Sequence, residues 1–113
     1  MIIETITEKG LLIVTIKTAE ASLKNSDAFK AGMVALIEEG HHHIVINFEH
    51  VNYIDSSFLG ALVSSLKYAI SKHGDLSLTN LKKDIYSLFQ LIRVDKVFKI
   101  YRTNEEAMEQ HKP

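Results

Sequence analysis

The chain of 113 residues has no cysteine and no tryptophan, and its one proline is Pro113, the last residue. Without cysteine there is no disulfide framework, no iron–sulfur cluster and no thiolate nucleophile, and an intracellular address is favoured. Without an internal proline, nothing of that kind punctuates the chain into domains or linkers, and no repeat or low-complexity tract appears. A single domain over residues 1–113 is expected, near the commonest domain size. Net charge is also nearly absent: 13 basic against 14 acidic residues leave −1. A general electrostatic attraction to nucleic acid or to anionic lipid is therefore not expected. Apolar runs are broken by Ser or Lys well short of the ~20 residues that a membrane span requires. The opening "MIIETITEKG" places Glu4 where a secretory leader would be basic. These absences together point to a cytoplasmic chain.

What is present alternates between strand and helix. "IIETITEKGLLIVTIK" reads as two β-branched strands around Glu8, Lys9 and Gly10, a hairpin whose glycine permits positive φ. Thr18 to Asn25 reads as a loop. A helix capped by Asn25 or Ser26 then runs to about Glu39, with Phe29, Met33, Leu36 and Ile37 at helical spacing and Gly40 as its stop. Ile44, Val45 and Ile46 form a continuous apolar run, the pattern of a strand buried on both faces.

A second helix carries Leu59, Leu62, Val63, Leu66 and Ile70 and is ended by Gly74. Leu76 and Leu78 alternate with polar neighbours in a further strand. Ile85, Leu88, Phe89 and Ile92 mark a shorter helix, "VFKIY" a last strand, and "TNEEAMEQH" a closing helix capped by Thr103 or Asn104 with Glu106 in its first turn. The order implies an α/β domain: a mixed, mostly parallel sheet of about five strands, four helices and an opening β-hairpin.

Chemistry is most concentrated where a strand-like run meets the second helix, in "VNYIDSSFLGALVSSLKYA". Asp55, Ser56 and Ser57 sit at that junction, where free helix amides and the helix dipole favour negative charge. One reading makes Ser56 or Ser57 the helix cap, with Asp55 supporting the first turn. The other makes one hydroxyl a phosphoryl acceptor, since a dianion of about −1.5 to −2 charges would be received by the helix amides. Residue types leave both readings open.

Other constellations carry less. Adjacent His41, His42 and His43 entering a strand alternate faces and have no acidic partner at ligand spacing, so no metal site is expected. His50 and His73 read as loop or surface residues, and Lys82-Lys83 as a solvated helix start. A nucleophilic Ser56 would need a Gly-x-Ser-x-Gly elbow, which is missing, and there is no glycine-rich phosphate loop. Neither an enzyme nor a cofactor is indicated.

The order of elements and the Asp55-Ser56-Ser57-x-Leu59-Gly60 core resemble the STAS family, the anti-sigma factor antagonists of bacterial partner-switching systems. The likeness continues through "GDLSLTNLKKDIYSLFQLIRVDKVFKIYRTNEEAM". It implies that Ser56, directly after the aspartate, is phosphorylated by a partner that is both anti-sigma factor and serine kinase, with Ser57 as second choice. It further implies that the unphosphorylated form binds that partner and releases what it sequesters, and that a PP2C-type phosphatase resets the cycle.

Two positions depart from the family pattern. Phe58 stands where glycine is frequent, and Ala21 falls where the loop before the first helix commonly carries aspartate, with Glu20 as its possible substitute. The partner footprint expected from this reading comprises Asp55, Ser57, Phe58, Ala61, Ser65 and Glu20, with Leu59, Leu62, Val63 and Leu66 assigned to the core. The alternative is a constitutive scaffold or binding subunit of the same fold in a signalling or transport complex, with the serines structural. A small hydrolase is a distant third.

Overall fold

Glu8 and Leu11 face each other across a two-residue turn in which Lys9 (φ 50°) and Gly10 (φ 82°) both take positive φ. That conformation matches the right-handed twist of the flanking strands, so a Lys-Gly pair closes the hairpin tightly. In the computed structural model, which describes residues 2–111, this hairpin joins β1 (Ile3–Glu8) to β2 (Leu11–Ile16). The chain continues through β3 (Glu20–Ala21), α1 (Leu23–Glu38), β4 (His43–Asn47), β5 (Tyr53–Ile54) and α2 (Ser56–Ser71). It closes with β6 (Asp75–Thr79), α3 (Lys83–Leu91), a 3₁₀ turn at Val94–Lys96, β7 (Lys99–Tyr101) and α4 (Asn104–Gln110).

The main sheet has five strands in the order β1-β2-β4-β6-β7. Only β1 runs antiparallel to its neighbour. The expected mixed, mostly parallel five-strand sheet with four helices is what the chain forms. The two faces carry unequal loads. Leu12, Val14, Ile16, Ile44, Ile46, Leu76 and Leu78 point to one core, which α1, α2 and α3 cover with Phe29, Met33, Phe58, Leu62, Ile85 and Phe89. Leu11, Ile13 and Val45 point to the opposite face, under Ala107 of α4. The strand read as buried on both faces, β4, is therefore so for the expected reason.

Three local expectations are corrected. The first helix does not wait for Asn25 or Ser26: its cap is Ser22, whose Oγ accepts the Lys24 amide at 3.3 Å while Asn25 Oδ1 accepts the Ser22 amide at 2.8 Å. The reciprocal pair is a capping box with asparagine in its third position. Ser26 lies inside the helix and is buried.

The stop of α2 is displaced as well. His73 takes the left-handed conformation (φ 67°), whereas Gly74 is required because a side-chain carbon there would stand 2.4 Å from the His42 carbonyl oxygen. The glycine serves a close approach of two backbones at the entry of the sheet, not the turn itself. Finally, Leu88, Ile92 and Ile70 lie on the exposed side, although all three share helical spacing with buried residues.

The loop segment and the run before Asp55 also pair with each other. β3 and β5 form a separate two-stranded parallel sheet, Glu20 opposite Tyr53 and Ala21 opposite Ile54. This small sheet brings the start of α1 beside the start of α2.

Candidate functional site

The junction begins with Ile54, whose side chain is buried and anchors the end of β5. The next residue leaves the strand with extended geometry (φ −108°, ψ 176°), and its carboxylate, not a serine hydroxyl, caps α2. Asp55 Oδ1 accepts the Phe58 amide at 2.9 Å, and Asp55 Oδ2 accepts the Leu23 amide at 2.9 Å. One carboxylate therefore satisfies amides at the N-termini of both α1 and α2, bridged by the small β3–β5 sheet.

The reading of Ser57 as helix cap is corrected by this geometry. Aspartate supplies two acceptor oxygens, and here each one takes an amide from a different helix. Ser56 and Ser57 become the first two residues inside α2; Ser56 is exposed and Ser57 half-buried.

Hydrogen bonding from the Phe58 amide, then from Leu23, holds the Asp55 carboxyl below its ordinary value of 3.8, against a smaller opposing effect of burial. Because the folded value is depressed, the folded state binds fewer protons than the unfolded one. Its stabilisation is present above 3.8 and is lost as pH falls through the folded value. Asp55→Asn, which keeps a cap oxygen without the charge, is expected to flatten the acid limb of stability. Thermal melts across the range from about pH 7 to pH 3 would show the variant losing less than the parent. Parallel curves would mean that the carboxylate carries no such linkage.

Behind this exposed start the helix turns sharply apolar. Phe58, Ala61 and Ser65, expected in the partner footprint, are 0%, 7% and 0% exposed. The Phe58 ring packs against Phe29 of α1 with centroids 4.6 Å apart. Ala61, Ser65 and Ala69 follow at helical spacing and are also buried. Small residues at that spacing allow α1 and α2 to pack closely, so the seam between them is built from residues that a size-based pattern assigns to the surface. The buried Ser65 hydroxyl donates to the Ala61 carbonyl at 2.8 Å and is satisfied within its own helix. Leu62 and Leu66 are core, as expected, whereas Leu59 and Val63 are half-buried against its edge.

The exposed positions of α2 are thus Ser56, Gly60, Lys67, Ile70 and Ser71. Glu20 is exposed in β3 beside Tyr53, while Ala21 is completely buried and so offers the surface nothing. Two exposed apolar residues that the sequence reading passed over also border the junction. Leu23, whose amide reaches Asp55, is 70% exposed, and Tyr53, two residues before Asp55, is 53% exposed. A bare leucine in the first turn of a helix, directly after its serine cap, was the available signal.

The STAS domain model matches residues 3–107 of the chain. The chain belongs to the STAS family. A relative from Thermotoga maritima, provisionally described as an anti-sigma factor antagonist, is 28% identical over 100 residues, which is 88% of each chain. The anti-sigma F factor antagonist of Paenibacillus polymyxa is 25% identical, over 88% of this chain and 86% of its own. The crystal structure of a Thermotoga maritima protein with that same provisional description superposes with a TM-score of 0.89 at 27% identity, covering 96% of this chain and 92% of the other. The anti-sigma factor antagonist SpoIIAA in its unphosphorylated form shares the fold at a TM-score of 0.73 and 19% identity, over 96% of both chains. Its phosphorylated form, from Bacillus, does so at 0.71 and 18%, over 96% of this chain and 97% of that one.

The chain is similar in sequence to STAS anti-sigma factor antagonists, which are binding and regulatory proteins and not enzymes. Among the described residues no helix is long and apolar enough to cross a membrane. No cluster of three or more His, Cys, Asp or Glu among them is arranged to hold a metal ion. His43 instead lies 3.2 Å from Asp75 at the entry of the sheet, far along the chain from the Asp55 junction.

Proposed function

We propose that this STAS chain is a phosphorylation-gated interaction module in which Ser56 is the acceptor. Unphosphorylated, it binds an anti-sigma factor that is also a serine kinase, and so frees that protein's sequestered target. Phosphorylation at Ser56 ends the binding, and a PP2C-type phosphatase restores it. The observation that carries the reading is the division of labour at the junction. Asp55 does the capping, so the exposed Ser56 hydroxyl at the first position of α2 has no structural duty there. A phosphate on it would meet the positive end of α2 and need not unfold the domain.

The relatives named as anti-sigma factor antagonists support the binding role, and the two forms of SpoIIAA support the idea of a modification state within this fold. The experiment is intact-mass analysis after incubation with the anti-sigma factor kinase of the same organism. One added phosphate is expected on the parent chain and on Ser57→Ala, and none on Ser56→Ala. A Ser56→Ala chain that still gains a phosphate would move the acceptor to Ser57. A parent chain that binds the factor but never gains one would leave the constitutive binding subunit as the reading.

A further inference from the structure

We propose that the edge of the domain formed by α3, the 3₁₀ turn and β7 is a seat for a membrane surface rich in anionic lipid. The proposal stands apart from the reading of Ser56 and rests on where charge and apolar surface are placed. Of the nine large apolar residues exposed among the described residues, five lie here: Tyr86, Leu88, Leu91, Ile92 and Val97. Leu91 is the barest at 79%, and Val97 follows it within the segment at 54%. Leu88, Leu91 and Ile92 are three and four residues apart, so they are neighbours at the end of α3. The core needs none of them, because Ile85 and Phe89 make the buried contacts of this helix.

The charge around them has mainly one sign. The near-neutral chain is an average over two unequal parts. Residues 82–102 hold six basic side chains and two acidic ones, a net +4, while the remainder holds seven against twelve, a net −5. Five of the six, Lys83, Arg93, Lys96, Lys99 and Arg102, are exposed, and Lys82 donates to Asn52 at 2.6 Å. The two acids are Asp84, which is exposed, and Asp95, which is largely covered and 4.0 Å from Lys96. Lys99 lies 3.7 Å from Asp75 and still keeps 66% of its side chain in water. A groove of about 500 Å³ brings Lys83 and Arg102 together with Tyr86 and Tyr101 over Leu81 and Ile100. Ile100 packs toward the main core and Tyr101 toward α4, so the groove passes over the open outer edge of β7.

These features select a lipid surface over a folded protein. Beyond the groove α3 is a ridge, with two of its nine residues buried. A rigid partner would have to supply the whole recess for such a ridge, whereas a fluid headgroup layer closes around it. Aliphatic side chains at the acyl boundary, with Lys and Arg against phosphates, are the arrangement of helices that lie in the interface. Tyrosine rings suit the headgroup level between the two. Leu91, Ile92 and Val97 would enter the layer, and Arg93, Lys96 and Lys99 would meet its phosphates.

The test is co-sedimentation of the full chain with vesicles. Vesicles of phosphatidylglycerol and phosphatidylcholine in equal parts should bind it about tenfold or more tightly than phosphatidylcholine alone. That difference should shrink as salt rises from about 0.05 M to about 0.5 M. Leu91→Glu and Lys96→Glu should each weaken binding to the charged vesicles about tenfold or more. Their melting temperatures should stay level, because both side chains are exposed. Ile6→Glu on β1 and Lys30→Glu on α1 make the same two changes of charge at exposed positions elsewhere and should bind as the parent does.

A parent chain that leaves the charged vesicles unbound overturns the proposal. If Leu91→Glu and Lys96→Glu then lose an anti-sigma factor that the parent binds, the edge belongs to a protein instead. Binding that falls equally in all four variants also overturns it, since overall charge and not this edge would be what the vesicles attract.

Discussion

Replacing Ser56 by aspartate is expected to weaken partner binding about a thousandfold, whereas Ser56→Ala keeps the parent affinity. A thousandfold corresponds to about 4 kcal/mol at roughly 1.4 kcal/mol per decade. An exposed charge beside another charge in water is worth about 1 kcal/mol at most, so simple repulsion across an open surface is not enough. A charge closed into an interface without a counter-ion loses its hydration and costs about 2–5 kcal/mol, the required range.

At home the same charge is accommodated. Position 56 opens α2, where a carboxylate faces free amides and the favourable end of the helix dipole, partly offset by the neighbouring Asp55. The melting temperature of Ser56→Asp should therefore match that of Ser56→Ala to within about 1 kcal/mol of stability. Isothermal titration of both variants against the same anti-sigma factor decides the matter. Equal affinity for the two would falsify the switch, and a collapse of Ser56→Asp stability would show that negative charge is not tolerated at this helix end.

Phe58→Ala, two residues on, should act on the fold. Removing a fully buried ring from the α1–α2 seam is expected to cost about 4 kcal/mol, the sum of lost transfer energy and the cavity left against Phe29. Domains of this size are stable by about 5–15 kcal/mol, so this is a large share of the whole. Urea unfolding should show a lower midpoint with an unchanged slope, the sign of weakened packing within the same native surface. A loss under about 1 kcal/mol would mean that the ring stands in water. The pair of substitutions is expected to separate neighbours: position 56 should change binding at constant stability, and position 58 should change stability.

The contrast shows what spacing along a chain can convey. The hairpin was legible because Lys9-Gly10 between β-branched runs has few other uses. β4 was legible because Ile44, Val45 and Ile46 leave no polar face. The start of the second helix was legible to within a residue. The cap was not, because Asp55, Ser56 and Ser57 are all good capping residues. The choice fell to a requirement outside the segment: the Leu23 amide, 32 residues earlier, needs a second acceptor oxygen.

The footprint at Phe58, Ala61 and Ser65 failed for a related reason. Successive helical residues differ by about 100° in direction, so a shift of one residue in the assigned face exchanges Leu59 for Phe58. Leu59, Leu62, Val63 and Leu66 had looked like the inner stripe because they are large. α2, however, is bounded by the sheet and also by α1, and the second contact is made by Phe58 with small residues.

The sequence by itself determined the order of the main-sheet strands and of the helices, the doubly buried central strand and the place of the serine pair at the head of α2. Those follow from periodicity and turn chemistry, which act over neighbouring residues. Only the tertiary structure decided that one aspartate serves two helices, that an aromatic ring closes the seam behind Ser56, and that Leu23 and Tyr53 stand bare near the junction. Each of those depends on how α1 and α2 sit side by side, and small side chains that permit close packing leave no periodic signal of their own.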